Sequence, residues 1–473
     1  MKKFTRTSIL LLLWGSLSVT SVLGNDELLK ACAEGKLDVV KSLVEKGADV
    51  NYANGQGATA LASAVFWPEI VQYLVDKGAR ANDGAFPALV HASGKGSYQV
   101  MQILLNAGAD PNKAGEVNVA AAMEKMVADE KAKGKGANKI LIKAYEGQIE
   151  KLKATPNKIY AISSVVTSSN CKECLELLIE KGAKTDNLNF ITKGNLLDEY
   201  ANSGMTPAER VEGNKFNAPY FEKAGVVIPD WYKNPDPAKM GTAEDFVKIL
   251  VKAGVNINLK NTLGDTPLLT ALGYPTRPKT EIALALVTNG ADVNVENIRN
   301  GHALIQAAAT GSVPLLDAMI SKGANLNAEF KVDDDKTGQR LKGITPLMWA
   351  AKNGHLEAVK YLVGKDAGLN ETAHGTAFNV KTGCLTTVKD KTPLFFAIES
   401  GNLEIIKFLV EGTKKYWGQI MTIDQWKQRS EQDAGLVTIV KTSCYKDGAY
   451  LPSNYAKEMG FMEIKDYLKG KKL

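Results

Sequence analysis

Residues 345–370 read TPLMWAAKNGHLEAVKYLVGKDAGLN. Thr345 supplies a side-chain oxygen suited to capping a helix start. Pro346 follows at the first helical position, where its missing N–H is not needed. Ala350 and Ala351 are small enough to let a second helix pack close. Gly354 breaks the run, and from Leu356 an apolar stripe returns at helical spacing through Val359, Leu362 and Val363. A short turn bearing Asp366 and Asn370 closes the segment. The stretch therefore predicts helix, turn, helix and extended turn.

The same phrases recur along the chain. The second helix with its turn is repeated as SLVEKGADVN (42–51), YLVDKGARAN (73–82), ILLNAGADPN (103–112), LLIEKGAKTD (177–186), ILVKAGVNIN (249–258), ALVTNGADVN (285–294) and AMISKGANLN (318–327), with YLVGKDAGLN (361–370) a weaker copy. The glycines fall at 47, 78, 108, 182, 254, 290 and 323, mostly 30 to 36 residues apart and otherwise about twice that. Glycine at this place predicts a left-handed helix end, since it has no Cβ to clash, and the Asx residue after it favours a tight turn. The first-helix phrase recurs at Thr392–Ala397 and Thr266–Ala271, and more loosely at Thr59–Ala64 and His302–Ala307.

These linked phrases resemble the ankyrin repeat, whose pattern is Thr-Pro-Leu-His-x-Ala-Ala, then Gly-His-x-Glu-Val-Val, then Gly-Ala-Asp-Val-Asn. Gly401–Ile406 and Gly35–Val40 match its second helix as well. The resemblance implies an all-α repeat solenoid of helix-turn-helix units with short β-hairpin-like turns, nine or ten of them between residues 26 and 469. The expected organisation is a leader at 1–24, repeats at 25–112, a Lys-rich insertion at 113–159, repeats with a degraded unit and a Pro-rich insertion at 160–258, repeats with loop insertions at 259–411, an insertion at 412–449 and a closing repeat at 450–473. Shorter insertions are expected in parts of 205–242 and at 328–342 and 371–389.

The resemblance also implies a partner-binding concave face lined by first helices and turn tips. Carried onto this sequence, its outward slots are Leu341, Lys342, Ile344, Lys352 and Asn353; then Val388, Lys389, Lys391, Glu399 and Ser400; and upstream Thr262, Leu263, Asp265, Ile298 and Arg299. A row of exposed Leu341, Ile344 and Val388 would mark an interface, unless the neighbouring insertion covers it. Trp349, Phe395 and Phe396 read as packing between repeats. Trp67 beside Phe66 is ambiguous, and Trp231, Tyr232, Trp417 and Trp426 lie in insertions where they are candidate interface anchors.

Of 473 residues, 58 are Lys or Arg and 52 Asp or Glu, a formal net charge of +6. Three of those cations, Lys2, Lys3 and Arg6, precede an apolar run from Ile9 to Leu23, with Val22 and Gly24 placed for a cut before Asn25. This is the layout of a secretory leader of bacterial style, too short and interrupted to span a bilayer. Its removal predicts a periplasmic or secreted protein with no membrane span. The surplus of +3 then left does not point to nucleic acid.

Chemistry is sparse. His91, His302, His355 and His374 belong to no metal-ligand spacing and no nucleophile motif, so neither metal, cofactor nor catalytic residue is expected. Cys32 and Cys174 fall at core-facing positions, Cys174 aligning with Val39, and read as structural thiols. Cys171-Lys172-Glu173-Cys174 at a helix start is also the spacing that redox chemistry uses. Cys384 and Cys444 share the local phrases Val-Lys-Thr-Gly-Cys and Val-Lys-Thr-Ser-Cys, and are expected either to pair across adjacent extended loops or to remain free. The lysines of 113–159 alternate with acids, as in a self-stabilising helical pair, the sharper alternative being a patch for an acidic partner. The functional expectation is an exported, non-catalytic scaffold that binds another protein. The alternative is a periplasmic ligand-binding or redox accessory protein using the insertions and Cys171/Cys174.

Overall fold

The computed structural model describes residues 24–473 except 118, 133–145, 147–148, 150–156, 187–192, 206, 224–226, 237–239, 274–277, 298–300, 335–338, 380–383, 413–436, 443–447, 451 and 472. It forms two compact units, Met1–Asn256 and Ile257–Leu473.

Each unit is built from helix pairs. In the first unit the pairs are 24–33 with Leu37–Glu45, Ala60–Ser63 with Pro68–Asp76, Ala88–Lys95 with Tyr98–Asn106, Ala161–Ser164 with Lys172–Glu180, and Leu196–Ser203 with Ala243–Lys252. In the second they are Pro267–Leu272 with Thr280–Thr288, Ala303–Thr310 with Val313–Ser321, Pro346–Lys352 with Leu356–Gly364, Pro393–Ser400 with Leu403–Lys407, and Pro452–Glu458 with Met462–Gly470. Within each unit first helices pack on first helices and second on second. No helix among the described residues is long and apolar enough to cross a membrane.

The local chemistry is the expected one. Thr59, Thr266 and Thr345 each accept a backbone N–H three residues on, whereas His302 and Thr392 at the same place cap nothing. The glycines at 47, 78, 108, 182, 254, 290 and 323 all take φ between +83° and +97°. That turn lets Ala48 N–H reach back to the Leu43 carbonyl at 3.0 Å, closing the helix end. In the weaker copy Asp366 takes the left-handed position at φ +70°.

The turns carry more than short hairpins. Strands β1 (Gly115–Val117) and β2 (Asn157–Ile159) pair antiparallel at the two ends of the Lys-rich insertion, which also holds a helix at Val119–Ala132. In the second unit β3 (Phe330–Asp334), β4 (Gln339–Ile344), β5 (Ala373–Asn379), β6 (Cys384–Lys391), β7 (Val437–Thr442) and β8 (Gly448–Tyr450) join in sequence order as one antiparallel sheet. Insertions read separately in the sequence are thus lengthened turns of consecutive repeats, zipped edge to edge. The degraded region is also resolved by topology. Residues 204–242, with helices Pro207–Lys223 and Asp230–Lys233, are inserted between the two helices of a single pair.

Candidate protein-binding surface

Two ladders hold the repeats in line. The first uses the last Asn of the turn phrase. Asn82 donates through Nδ2 to the Gly108 carbonyl at 2.9 Å and accepts Asp110 N–H at 2.8 Å. Asn51, Asn112 and Asn294 bridge to the next repeat in the same way. Asn112 reaches Gly182 and Lys184 across the whole 113–159 insertion, so the repeats on either side of it stack directly. The sequence reading gave these Asx residues only local turn bonds. The residue two positions earlier makes those bonds, as Asp49 does to Asn51 N–H at 2.9 Å.

The second ladder uses the residue that starts the second helix in several of the repeats. It lies over the left-handed glycine that ends the first helix of the preceding repeat, so that a Cβ there would meet it: Trp67 over Gly35, Cys171 over Gly96, His355 over Gly311 and Phe461 over Gly401. Asn402 joins the ladder by donating to the Gly354 carbonyl at 3.1 Å. Trp67, ambiguous in the sequence, and His355 are therefore structural. Trp349, Phe395 and Phe396 are buried, as expected. Val39 departs from the reading: it is 45% exposed, while Cys174 and its counterparts Ile70, Val100, Ala358 and Ile405 are buried against neighbouring repeats. Val39 sits in the first repeat, where no described repeat precedes it.

The expected outward slots divide. Lys342, Asn353, Thr262 and Leu263 are exposed, and Lys352, Asp265, Glu399 and Ser400 are half-buried. Asp265 accepts from Asn297 Nδ2 at 2.7 Å, and Lys352 Nζ stands 4.7 Å from the Trp349 ring. Leu341, Ile344 and Lys391 are buried at 1%, 0% and 1% exposure, contrary to the expectation that they face a partner. For Leu341 the cause is the pleat, and for Ile344 it is the irregularity at Gly343, φ +73°, which breaks the alternation. Successive strand residues point to opposite faces, so Leu341 turns inward while Arg340 and Lys342 stand in solvent. Val388 and Lys389 lie in β6, pairing with Ile439 and Thr438. Ile298, Arg299, Cys444, Trp417 and Trp426 lie outside the described residues.

Lys391 is a buried cation. Its Nζ donates to Glu399 Oε1 at 2.5 Å and lies 4.3 Å from the Phe396 ring, and Tyr455 donates to the same carboxylate at 2.7 Å. Burial holds the Lys391 ammonium below the ordinary lysine range, against the pull of Glu399. Burial alone would raise Glu399, but Lys391 and Lys352 hold it below the usual carboxylate range. This group ties the β6 repeat to the closing repeat and is not a surface feature.

The 204–242 insertion lies along the C-terminal ends of first helices. Arg210, 6% exposed, donates to the Lys95 carbonyl at 2.9 Å and to the Ser168 carbonyl. Tyr232 is buried, with its ring 5.2 Å from that of Phe66, while Trp231 stays 39% exposed. Burial and the charge of Arg210 pull Lys95 down to about 8. The sequence reading missed Arg210 because nothing local marks a cation destined for carbonyls of two other repeats.

The exposed surface of the second unit carries both signs of charge, and on β4 and β5 it holds a small basic cluster, with Asp333 of β3 opposite Arg340 in the register. Lys342 and His374 are register partners across β4 and β5, and Arg340 pairs with Thr376. Arg340, Lys342 and His374 are all exposed. In the first unit a hollow of about 510 Å³ lies between the second helices Pro68–Asp76 and Tyr98–Asn106, lined by residues such as Gln72, Gln99, Gln102, Asn106 and Ile103. It holds no acid, base or thiol. Among the described residues no three His, Cys, Asp or Glu side chains converge as a metal site.

Comparison with known proteins finds a matching family model and several partial relatives. A family model described as "Ankyrin repeats (3 copies)" matches residues 28–114, 238–330 and 304–417. The chain is 28% identical over 127 residues to the ankyrin repeat and KH domain-containing protein mask-1 of Caenorhabditis elegans, covering 27% of this chain and 4% of that protein. It is 28% identical over 151 residues to the probable E3 ubiquitin-protein ligase XBOS32 of Oryza sativa subsp. japonica, covering 27% of this chain and 29% of that protein. It is 32% identical over 127 residues to alpha-latrocrustotoxin-Lt1a of Latrodectus tredecimguttatus, covering 27% and 8%. The chain thus spans under a third of the length of these relatives. Among solved structures it is similar to the human ASB11 ankyrin repeat domain, at 18% identity and a TM-score of 0.39, over 63% of this chain and 98% of that one.

Proposed function

The chain belongs to the ankyrin repeat family, a family of protein-interaction modules, and on that premise we propose that it is an exported, non-catalytic scaffold for a partner protein with an acidic surface. Binding uses the lengthened turns of the second unit. The observation that carries this reading is the pleat of β4 and β5, which buries Leu341 and Ala373 and leaves Arg340, Lys342 and His374 in solvent on paired strands. A rigid sheet holds these groups at fixed spacing, so little side-chain ordering opposes binding, and the rim of charge steers an acidic partner. Exposed Asn353 and Thr262 extend the polar rim, and Leu263, 43% exposed, adds an apolar contact.

The test is a charge reversal, Arg340→Glu with Lys342→Glu, in the full chain. A partner captured by the wild type, then purified, should bind the variant at least about tenfold more weakly, and the loss should shrink as salt screens the charges. Unchanged affinity, or a partner held equally well at all salt concentrations, overturns the reading of this face. Export is tested separately: the purified mature chain should begin at Asn25.

A further inference from the structure

Cys171 and Cys174 are joined by a disulfide, with three residues of separation and Cα atoms 5.2 Å apart. This corrects the reading of Cys174 as a structural thiol. Cys171 caps the nine-residue helix Lys172–Glu180, and its Sγ accepts the backbone N–H of Cys174 at 3.2 Å. The two sulfurs are not equivalent. Cys174 is fully buried in the slot that Val100 and Ile405 fill in other repeats, whereas Cys171 is half-buried. Cys171 also holds the ladder position over Gly96 that Trp67, His355 and Phe461 hold elsewhere. A small residue bearing sulfur stands where bulky rings normally lock two repeats. The turn just before it is costly. Asn170 is left-handed at φ +53° and 4% exposed, and its Nδ2 is buried without a partner among the described residues.

We propose that Cys171 and Cys174 are a redox-active pair that exchanges its disulfide with a protein dithiol. A thiolate of the incoming dithiol attacks Cys171 Sγ, the more accessible sulfur. The Cys171–Cys174 bond breaks, a mixed disulfide forms on Cys171, and Cys174 leaves and takes a proton. The second thiol of the partner loses its proton and attacks its own mixed-disulfide sulfur. Cys171 leaves as a thiolate, and the partner departs as a disulfide. Two electrons pass from the dithiol to the pair. The departing Cys171 thiolate is received by the Cys174 N–H and by the positive end of the helix, which stabilises the reduced form. Reduced Cys174 fits its slot as a small apolar residue, so the repeat keeps its packing in both states. The exchange does not depend on the basic strand face.

The experiment equilibrates the full-length chain in glutathione buffers and follows the Cys171–Cys174 peptide by mass spectrometry, with helix content measured in parallel. The pair should be at least half reduced at a roughly hundredfold excess of reduced over oxidised glutathione, where structural disulfides persist. Helix content should not change. A pair that stays oxidised there, or that is reduced only as the helices melt, overturns the proposal. In a second arm Cys174→Ser should accumulate a glutathione adduct on Cys171 at least about tenfold over the adduct that Cys171→Ser forms on Cys174. Equal adducts would overturn the assigned direction of attack.

Discussion

The imidazole of His355 covers Gly311 of the preceding repeat, and its Nε2–H donates to the Ala309 carbonyl at 2.8 Å. A Cβ on Gly311 would lie 2.6 Å from Nδ1 of that ring, and Gly311 has φ +73°. Gly311→Ala therefore meets both a left-handed backbone and a ring that is itself hydrogen-bonded. It should cost about 2–3 kcal/mol, most of it from the backbone. His355→Ala in the same background should restore only the part due to the clash. The measurement is the urea midpoint of the four chains, with hydrogen exchange locating the loss to 303–364.

Asn294 bridges two repeats with a donor to Gly323 and an acceptor for Asn325 N–H. Asn294→Ala removes both bonds and should cost about 1–2 kcal/mol, each exposed neutral bond contributing about 1 kcal/mol or less. Asn294→Asp keeps the acceptor and should recover about half. Equal losses for the two variants, read from chemical denaturation, would show that the accepted bond from Asn325 contributes nothing.

Glu399 is the counter-ion of a lysine with 1% exposure. Glu399→Gln leaves Lys391 buried and unpaired, and should cost about 3–5 kcal/mol. Replacing both, as Lys391→Met with Glu399→Leu, should cost far less, because the desolvation of two charges is removed along with their attraction. A single variant as stable as the wild type would show that Lys391 reaches solvent.

His91 packs edge-to-face on Phe86 at 4.5 Å, and burial, helped by Lys95, pulls its imidazole down to about 4. The unfolded chain binds a proton near the ordinary value of about 6.5, which the folded chain refuses until about 4. Stability from this residue is thus complete above about 6.5 and lost as pH falls from there towards 4, by roughly 2–3 kcal/mol. His91→Gln should flatten that part of the pH profile of the urea midpoint.

The Cys384–Cys444 disulfide remains our proposal. Thr386 pairs with Thr442 in the antiparallel β6–β7 ladder. Cys384 opens β6, and Cys444 lies outside the described residues. Non-reducing peptide mapping should recover them as one cross-linked species. Its loss should cost up to about 4 kcal/mol by the loop-closure model. Recovery of both as alkylated thiols ends the idea.

What could be read along the chain was what neighbouring residues settle among themselves. Thr345 and Pro346 start a helix by local capping, and the seven turn glycines take positive φ because no other residue does so without strain. Repetition of those local instructions is enough to specify stacked helix pairs, since one pair alone leaves its apolar stripes in water. The tertiary structure decided which residues remain on the surface. Leu341, Ile344 and Lys391 occupy outward slots in the repeat pattern, yet long-range pairing of the lengthened turns put them inside. Strand pleat and register, set by partners dozens of residues away, assign each side chain to a face. Arg210 finds its carbonyls, and Cys171 its place over Gly96, only when separate repeats are brought together.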